Sequence, residues 1–149
     1  MKISKITEND QAQLSRIAEM AIEKHVTPML NELGRQMMLD AQRREAGKIH
    51  DTSIYCSRKA TIDGTIAGYV AWTQIGKVAH LYVSPEHQGV GIGRALMNCV
   101  REQVHEKTIY LRASINAVGF YKRLGFMALD TEQNDKGIRY VPMELSSRS

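Results

Sequence analysis

The stretch PEHQGVGIGRAL, residues 85 to 96, constrains the possible folds more than any other part of this sequence. Gly89, Gly91 and Gly93 alternate with other residues and lead directly into helix formers. Each glycine has an entropic cost and weakens a helix, so their concentration here needs a local reason. Glycines let a backbone approach a ligand closely, and the unpaired N–H groups at a helix N-terminus attract anions. The stretch therefore predicts a strand, a loop and a helix start that bind a pyrophosphate; a plain glycine-rich turn is the alternative.

Two other phosphate-binding motifs do not fit these glycines. A dinucleotide fingerprint requires a third glycine at position 94 or 96, and those positions hold Arg94 and Leu96. Arg112 stands near the end of the next strand, where that fingerprint has an acidic residue. A P-loop requires Gly-Lys followed by Ser or Thr, and no such triplet occurs near these glycines. Both dinucleotide binding of this type and P-loop chemistry are therefore excluded.

The hydrophobic pattern predicts a single α+β domain over residues 1–149, with a mixed, mostly antiparallel sheet of about seven strands and about four helices. Strands are expected at 2–6, three times between 53 and 84, at 108–114, near 126–132 and at 138–145. Helices are expected after the Thr7–Asp10 capping box, at 29–45 beyond Pro28, at 91–106 and at 116–124. Asp63-Gly64 predicts a two-residue hairpin turn, and Pro142 predicts an edge or a bulge.

Three of these helices have recognisable apolar faces. The first has Leu14, Ile17, Ala18, Ala21 and Ile22; the second has Leu30, Leu33, Met37 and Ala41; the third has Ile92, Ala95, Leu96, Cys99, Val100 and Val104. The end of the second helix, residues 42–48, is expected to be solvated.

Composition limits the function classes. The net charge of +4 suits a small anionic ligand as well as nucleic acid, and no nucleic-acid motif accompanies it. The 2 cysteines match neither a disulfide framework nor a metal site. We find no apolar segment typical of a membrane span or a signal peptide, so we expect a cytoplasmic protein without membrane, metal or nucleic-acid partners.

Two motifs resemble those of the GNAT N-acetyltransferase superfamily. Motif A, with its Gln/Arg-x-x-Gly-x-Gly/Ala signature, is matched by Leu81, Val83, Pro85, Gln88, Gly91 and Gly93. The stretch NAVGFYKRLGF at 116–126 is similar to motif B through Asn116, Phe120, Tyr121, Gly125 and Phe126. The predicted element order is also that of the superfamily. The resemblance spans nearly the whole chain and is specific over residues 78–126.

The resemblance implies how acetyl-CoA would bind as a co-substrate. The strand before the glycines and the strand at 108–113 would splay apart, and the pantetheine arm would enter the gap. The implied pyrophosphate and pantetheine contacts come from the loop, the preceding strand and the motif B helix: Leu81, Tyr82, Val83, Gln88, Gly89, Val90, Gly91, Ile92, Gly93, Arg94, Asn116 and Phe120. Burial of Leu81 and Val83 in the core is compatible with this role, and an N-cap is the alternative for Asn116.

The resemblance also implies catalytic groups. A backbone N–H near Val83 would stabilise the oxyanion, and Tyr121 would protonate the departing thiolate. Lys77 stands where some members have a glutamate base, so His80 on the same strand is the candidate general base. Simple packing is the alternative for both Tyr121 and His80, and His25 and His87 are weaker candidates.

These inferences favour an acetyl-CoA-dependent N-acetyltransferase that acts on a primary amine by direct attack in a ternary complex. The alternative is a catalytically weak CoA-binding regulatory module of the same fold. The sequence does not identify the acceptor amine, for which Tyr69, Trp72, Arg139 and Tyr140 are candidate wall residues. A homodimer is common in the superfamily.

Overall fold

A computed structural model of the chain describes residues 1–104 and 108–146. In this part of the chain, eight strands form two sheets. The first sheet has the order β1 (Lys2–Ser4), β2 (Cys56–Ile62), β3 (Thr65–Trp72) and β4 (Val78–Val83), and all of its pairings are antiparallel. The second sheet is built on β8 (Ile138–Leu145), which pairs with β5 (Ile109–Ser114) on one side. β6 (Met127–Ala128) and β7 (Gln133–Asp135) pair with β8 as well, all antiparallel.

The described part of the chain has four α-helices, two of which pack against the first sheet from opposite sides. α1 (Gln11–Ala21) packs Leu14, Ile17 and Ala18 with the side chains of Tyr69 and Ala71 of β3. α3 (Ile92–Gln103) packs with Val70 and Trp72, which alternate with those residues and therefore face the opposite side. α2 (Glu32–Ala46) lies beside α1, and α4 (Val118–Arg123) contributes to the α3 cluster. The predicted α+β fold class with about four helices is confirmed, but the described residues form two antiparallel sheets where one mixed sheet of about seven strands was predicted.

The turns follow the predicted glycines. Asp63 and Gly64 have φ angles of 51° and 79°, which is the conformation of a two-residue hairpin that matches strand twist. Lys136 and Gly137 repeat it between β7 and β8, with φ angles of 54° and 91°. The predicted inward face of α1, from Leu14 to Ile22, is buried throughout.

The predicted second helix is wrong in its start and in its face. After α1 the chain makes a wide π-helical turn over Ile22–Val26 and a 3₁₀ turn over Thr27–Met29, so α2 begins only at Glu32. The Asn31 side chain caps α2 by accepting a hydrogen bond from the Gly34 N–H at 2.8 Å. Leu33, predicted to face inward, is 56% exposed, whereas Gly34, Leu39, Gln42 and Ala46 are buried. Gly34 sets this orientation because its backbone lies against Gly137, leaving no room for a Cβ.

Four smaller predictions also need correction. The strand expected near 126–132 is reduced to β6, and the chain pairs again only at β7. Pro142 is not on an edge strand, because β8 pairs on both sides. It lies between the segments that pair with β7 and with β6, where its carbonyl accepts from the Leu129 N–H at 2.8 Å and no N–H is needed. α3 ends at Gln103, and residues 105 and 106 of its predicted range lie outside the described residues. The short helix expected at 116–124 is a 3₁₀ turn over Ile115–Ala117 followed by α4.

β4 and β5 meet at one point and then separate. They share a single parallel bridge between Lys77 and Tyr110, where the Tyr110 N–H donates to the Gly76 carbonyl at 2.9 Å. Gly76 has a φ of 91° and lies against the Thr108 carbonyl, so this junction requires glycine. Beyond it, the described residues continue no ladder between the two strands. The resulting gap beside β4 positions the candidate site.

Candidate active site

The loop between β4 and α3 is held open by two glycines. Gly89 and Gly91 have φ angles of 82° and 90°, a region that residues with a Cβ rarely adopt. A Cβ built on either glycine would have no atom within 4 Å, so backbone conformation and not crowding requires glycine here. Gly91 also begins α3, since its carbonyl accepts from the Ala95 N–H at 3.0 Å. This loop is accessible on its outer side.

The accessible loop ends in the first turn of α3. Gln88 and Arg94 are exposed, Val90 is 69% exposed, and the buried Ile92 anchors the turn to the core. The first N–H groups of a helix lack intrahelical partners and carry a partial positive charge. A loop of this geometry can bind an anion mostly through its main chain, and Arg94 can add a positive charge.

Gly93 has a different role from the other two glycines. A Cβ at Gly93 would lie 3.1 Å from the Phe120 ring carbon Cζ and 3.8 Å from a Val83 methyl carbon. The missing side chain thus lets α4 approach α3 closely. The two predicted motifs meet at this contact.

The free edge of β4 presents main-chain groups to the gap. The Ser84 N–H donates to the Ala67 carbonyl at 2.8 Å, so the opposed pair Val83 and Gly68 is a non-hydrogen-bonded pair. The N–H and C=O groups of Val83 and, by alternation, of Leu81 therefore point away from β3 and toward the gap. The Gln88 side chain already donates to the Val83 carbonyl at 3.1 Å. The main chain of Tyr82, predicted to bind pantetheine, pairs with β3 instead.

Tyr121 is packed at the inner end of α4. It is 8% exposed, and its ring meets the Phe120 and Phe126 rings edge-on at centroid distances of 5.1 Å and 5.4 Å. Burial, together with the nearby Tyr82 phenol, raises the pKa of Tyr121 above its usual value. The phenol therefore keeps its proton at neutral pH and can act as a donor. Asn116 lies in the preceding 3₁₀ turn, is exposed and does not cap α4.

A cavity of about 300 Å³ lies on the opposite face of β4, against α2. Its lining combines residues of α2, β4 and β5 with Tyr55, and consists of Met38, Ala41, Gln42, Glu45, Tyr55, Lys77, Val78, Ala79, His80, Tyr82 and Arg112. The Tyr55 hydroxyl donates to Glu45 Oε1 at 2.6 Å, and Lys48 bonds to Oε2 at 3.2 Å. The hydrogen bond from Tyr55 lowers the pKa of Glu45, so the carboxylate is ionised at neutral pH.

His80 is a buried and unpartnered imidazole in the wall of this cavity. It is 7% exposed, and neither ring nitrogen has a hydrogen-bond partner in the described part of the chain. Tyr55 meets its ring edge-on at 5.5 Å, and Tyr69 and Tyr82 flank it at 6.5 Å and 6.4 Å. Burial lowers the pKa of His80 to about 4, with a smaller opposite effect from the Glu45 carboxylate. His80 is therefore neutral at pH 7, with a nitrogen lone pair available.

Sequence reasoning missed Glu45, Gln42 and Tyr55. The first two lie in the segment predicted to be a solvated helix end, and this prediction is wrong because Gln42 is 4% exposed and Glu45 lines the cavity. Positions 38, 42 and 45 repeat at helical spacing, so polar residues on this inward face were the available signal. Tyr55 follows a series of turns, so no periodic pattern in the sequence indicated its role.

The residues predicted to form the wall around the acceptor amine lie in different environments. Trp72 is buried on the α3 face and does not line the cavity. Arg139 forms an ion pair with Glu132 at 2.7 Å and donates to the Met29 carbonyl. Tyr140 lies under the Arg112 guanidinium, 4.7 Å from ring centroid to Cζ.

The comparisons with known proteins agree with this architecture. The sequence matches the acetyltransferase (GNAT) domain family over residues 31–147, so the chain belongs to the GNAT acetyltransferase family. A comparison with curated protein sequences found no significant match.

Among solved structures, a GCN5-related N-acetyltransferase from Rhodopseudomonas palustris is similar with a TM-score of 0.86 and 20% identity, over 97% of this chain and 94% of that one. The PaiA N-acetyltransferase from Thermoplasma acidophilum, in complex with coenzyme A, has a TM-score of 0.78 and 21% identity over 97% and 98% of the two chains. An aminoglycoside 6′-N-acetyltransferase complexed with coenzyme A has a TM-score of 0.73 and 15% identity over 100% and 98%. These likenesses confirm the predicted fold.

Residues 1–104 and 108–146 contain no helix that is long and apolar enough to cross a membrane. In the same ranges, no group of three or more His, Cys, Asp or Glu side chains could hold a metal ion.

Proposed function

We propose that this protein transfers an acetyl group from acetyl-CoA to a primary amine by direct attack in a ternary complex. The observation that carries the proposal is the gap beside β4, which lies between the open glycine loop near α3 and the polar cavity near α2. A donor and an acceptor bound on opposite faces of one strand can meet through such a gap. Membership of the GNAT acetyltransferase family supports the donor, because solved relatives are complexed with coenzyme A.

The loop residues fit an anionic co-substrate. The main chain from Gln88 to Gly91 and the first turn of α3 would hold the pyrophosphate, and Arg94 would add a charge-assisted contact. Leu81 and Val83 would bind the amide groups of the pantetheine arm, and Gln88 would exchange its bond to Val83 for the arm. Acetyl-CoA would supply the activated acyl group, and the remaining chemistry belongs to the residues of this chain.

Proton movement is assigned to two residues. His80 would accept a proton from the amine, directly or through water, and Glu45 would stabilise the imidazolium that forms. The Val83 N–H would donate to the thioester oxygen as negative charge develops there. As the amine nitrogen forms the amide bond and the carbon–sulfur bond breaks, Tyr121 would give its proton to the thiolate and regain one from solvent.

The first test is the melting temperature with and without acetyl-CoA, with NADH and ATP as controls. Ligand at ~100 times its dissociation constant stabilises the folded state by about 2.7 kcal/mol, which is a rise of roughly 5–10 °C for a domain of this size. We expect the rise with acetyl-CoA alone. No rise, or an equal rise with NADH, would overturn the proposed co-substrate.

Release of CoA thiol in the presence of an amine panel tests turnover. An amine-dependent rate supports the enzyme. A clear melting shift without turnover of any amine would favour the regulatory CoA-binding module. The observation that supports this alternative is Lys77, which stands where some family members have a glutamate base.

A further inference from the structure

Two exposed cations line the cavity near α2. Lys77 and Tyr110 are bridge partners, and Arg112 lies two residues beyond Tyr110, so Lys77 and Arg112 project from the same side of the β4–β5 junction. In the ranges 1–104 and 108–146, no carboxylate forms an ion pair with either residue. The Tyr140 ring holds the Arg112 guanidinium in place from one side.

The opposite wall of the cavity contains a carboxylate. Glu45 comes from α2 and is positioned by the Tyr55 hydroxyl, and the neutral His80 also lines the cavity. A carboxylate has about four acceptor positions, so Glu45 can receive another N–H donor besides Tyr55 and Lys48. The lining thus has one carboxylate against two cations, and its net charge favours an anionic group in the ligand.

His80 adds an unsatisfied buried side chain to the wall of the cavity. Both ring nitrogens of His80 have no hydrogen-bond partner in the described residues, although the residue is only 7% exposed. An unsatisfied buried polar group is destabilising, so such groups concentrate where a ligand or water completes them.

From this arrangement we infer that the acceptor is a small amine that also carries an anionic group, such as an amino acid. Lys77 and Arg112 bind the anionic group, while Glu45 and His80 receive the amine. The guanidinium of Arg112 matches a carboxylate or a phosphate with two parallel hydrogen bonds. A cavity of about 300 Å³ is at the small end of ligand sites and fits a compact molecule better than an oligosaccharide. This inference rests on the proposed acetyl transfer.

The experiment measures kcat/KM for matched pairs of amines at saturating acetyl-CoA. Each amino acid is paired with the amine that lacks its carboxylate, for example phenylalanine with phenethylamine and lysine with cadaverine. O-Phosphoethanolamine and 3-aminopropanoate distinguish a phosphate from a carboxylate. We expect the anionic member of a pair to be favoured by about tenfold or more, as for loss of a charge-assisted contact.

Variants test which residues produce the preference for amines with an anionic group. Arg112→Gln and Lys77→Gln should each reduce it, and Arg112→Glu should favour the decarboxylated partner. Arg101→Gln, which removes an exposed arginine from the last turns of α3, is the matched control and should leave the preference unchanged. Calorimetric binding of the same amines to each variant gives a readout that does not depend on turnover.

The outcomes separate the two proposals. Equal rates or a preference for decarboxylated amines, acetylation confined to peptides, or no calorimetric binding of any anionic amine overturns the inference, even where acetyl-CoA binds. Failure of acetyl-CoA to raise the melting temperature overturns the proposed function itself. Retention of the preference in the Arg112→Gln, Lys77→Gln double variant would show that these two residues do not bind the anionic group.

Discussion

The candidate sites on the two faces of β4 are formed by different parts of the chain. Toward α3, the site consists mainly of backbone: the open edge of β4, two glycines with positive φ and the first turn of a helix. Toward α2, it consists of side chains that come from α2, from Tyr55 and from the β4–β5 junction. A backbone site depends on a short contiguous segment, whereas a side-chain site depends on the packing of segments distant in sequence. Substitutions on one face should therefore affect acetyl-CoA, and substitutions on the other should affect the amine.

The largest effect is expected at Tyr121, the side chain on the α3 face to which chemistry is assigned. Tyr121→Phe should reduce kcat by about 100-fold or more, because a positioned acid typically contributes that much. The ring packing against Phe120 and Phe126 is retained, so the melting temperature and the dissociation constant of acetyl-CoA should change little. Steady-state thiol release and calorimetry measure both quantities. A kcat within about twofold of wild type would mean that Tyr121 only packs.

Gly34 tests how strongly the α2 face depends on long-range packing. Gly34→Ala places a methyl group against the backbone of Gly137 and should lower the free energy of unfolding by about 1–3 kcal/mol. Because α2 must move, the KM for the amine should rise while acetyl-CoA affinity is unchanged. Gly47→Ala is the control, since Gly47 has a negative φ of −76° and faces only the end of the Gln11 side chain. Equal melting curves for the two variants would contradict the close α2–β8 contact.

His80 should make stability depend on pH on the α2 face. Its pKa is about 4 in the folded state against an ordinary 6.5, so the unfolded chain binds more protons between these values. Stability is therefore fully present above pH 6.5 and is lost as the pH falls toward 4. Between pH 7 and pH 5, wild type should lose about 2 kcal/mol more than His80→Gln, as measured by urea unfolding.

The chosen window isolates His80. The pKa of Glu45 is lowered from 4.5 by the Tyr55 hydroxyl, so its contribution changes only below that pH. Groups common to both proteins cancel in the difference. Parallel curves for wild type and His80→Gln would show that His80 titrates normally and is not the buried, neutral group described above.

The smallest effect distinguishes loop function from loop strain. Gly91→Ala and Gly64→Ala each place an alanine at a positive φ, at 90° and 79°, with no neighbour within 4 Å. Both should destabilise the protein by about 1 kcal/mol. Only Gly91→Ala should weaken acetyl-CoA binding, by about tenfold, with no change in amine KM. An equal acetyl-CoA affinity in the two variants would show that the glycine loop is a simple turn and does not bind acetyl-CoA.

Much of the α3 face could be predicted from the sequence, because its signals are local. The spacing of Gln88, Gly91 and Gly93, the Asp63-Gly64 turn and the apolar face of α1 each depend on a few neighbouring residues. The face of α2 could not be predicted from periodicity alone. Periodicity predicts that Leu33 faces inward, but in the structure Gly34 does. The close backbone contact of Gly34 with Gly137, about a hundred residues away, determines which face of α2 is buried.

The sequence by itself determined the element order, the hairpin turns, the family motifs and the glycine loop, since backbone conformation responds to adjacent residues. Only the tertiary structure decided which polar side chains share a cavity. Glu45, Tyr55, His80 and Arg112 lie on four separate segments, and their proximity results from helix packing and from the junction of β4 and β5. Burial lowers the pKa of His80 and the hydrogen bond from Tyr55 lowers the pKa of Glu45, and no local sequence pattern specifies either effect.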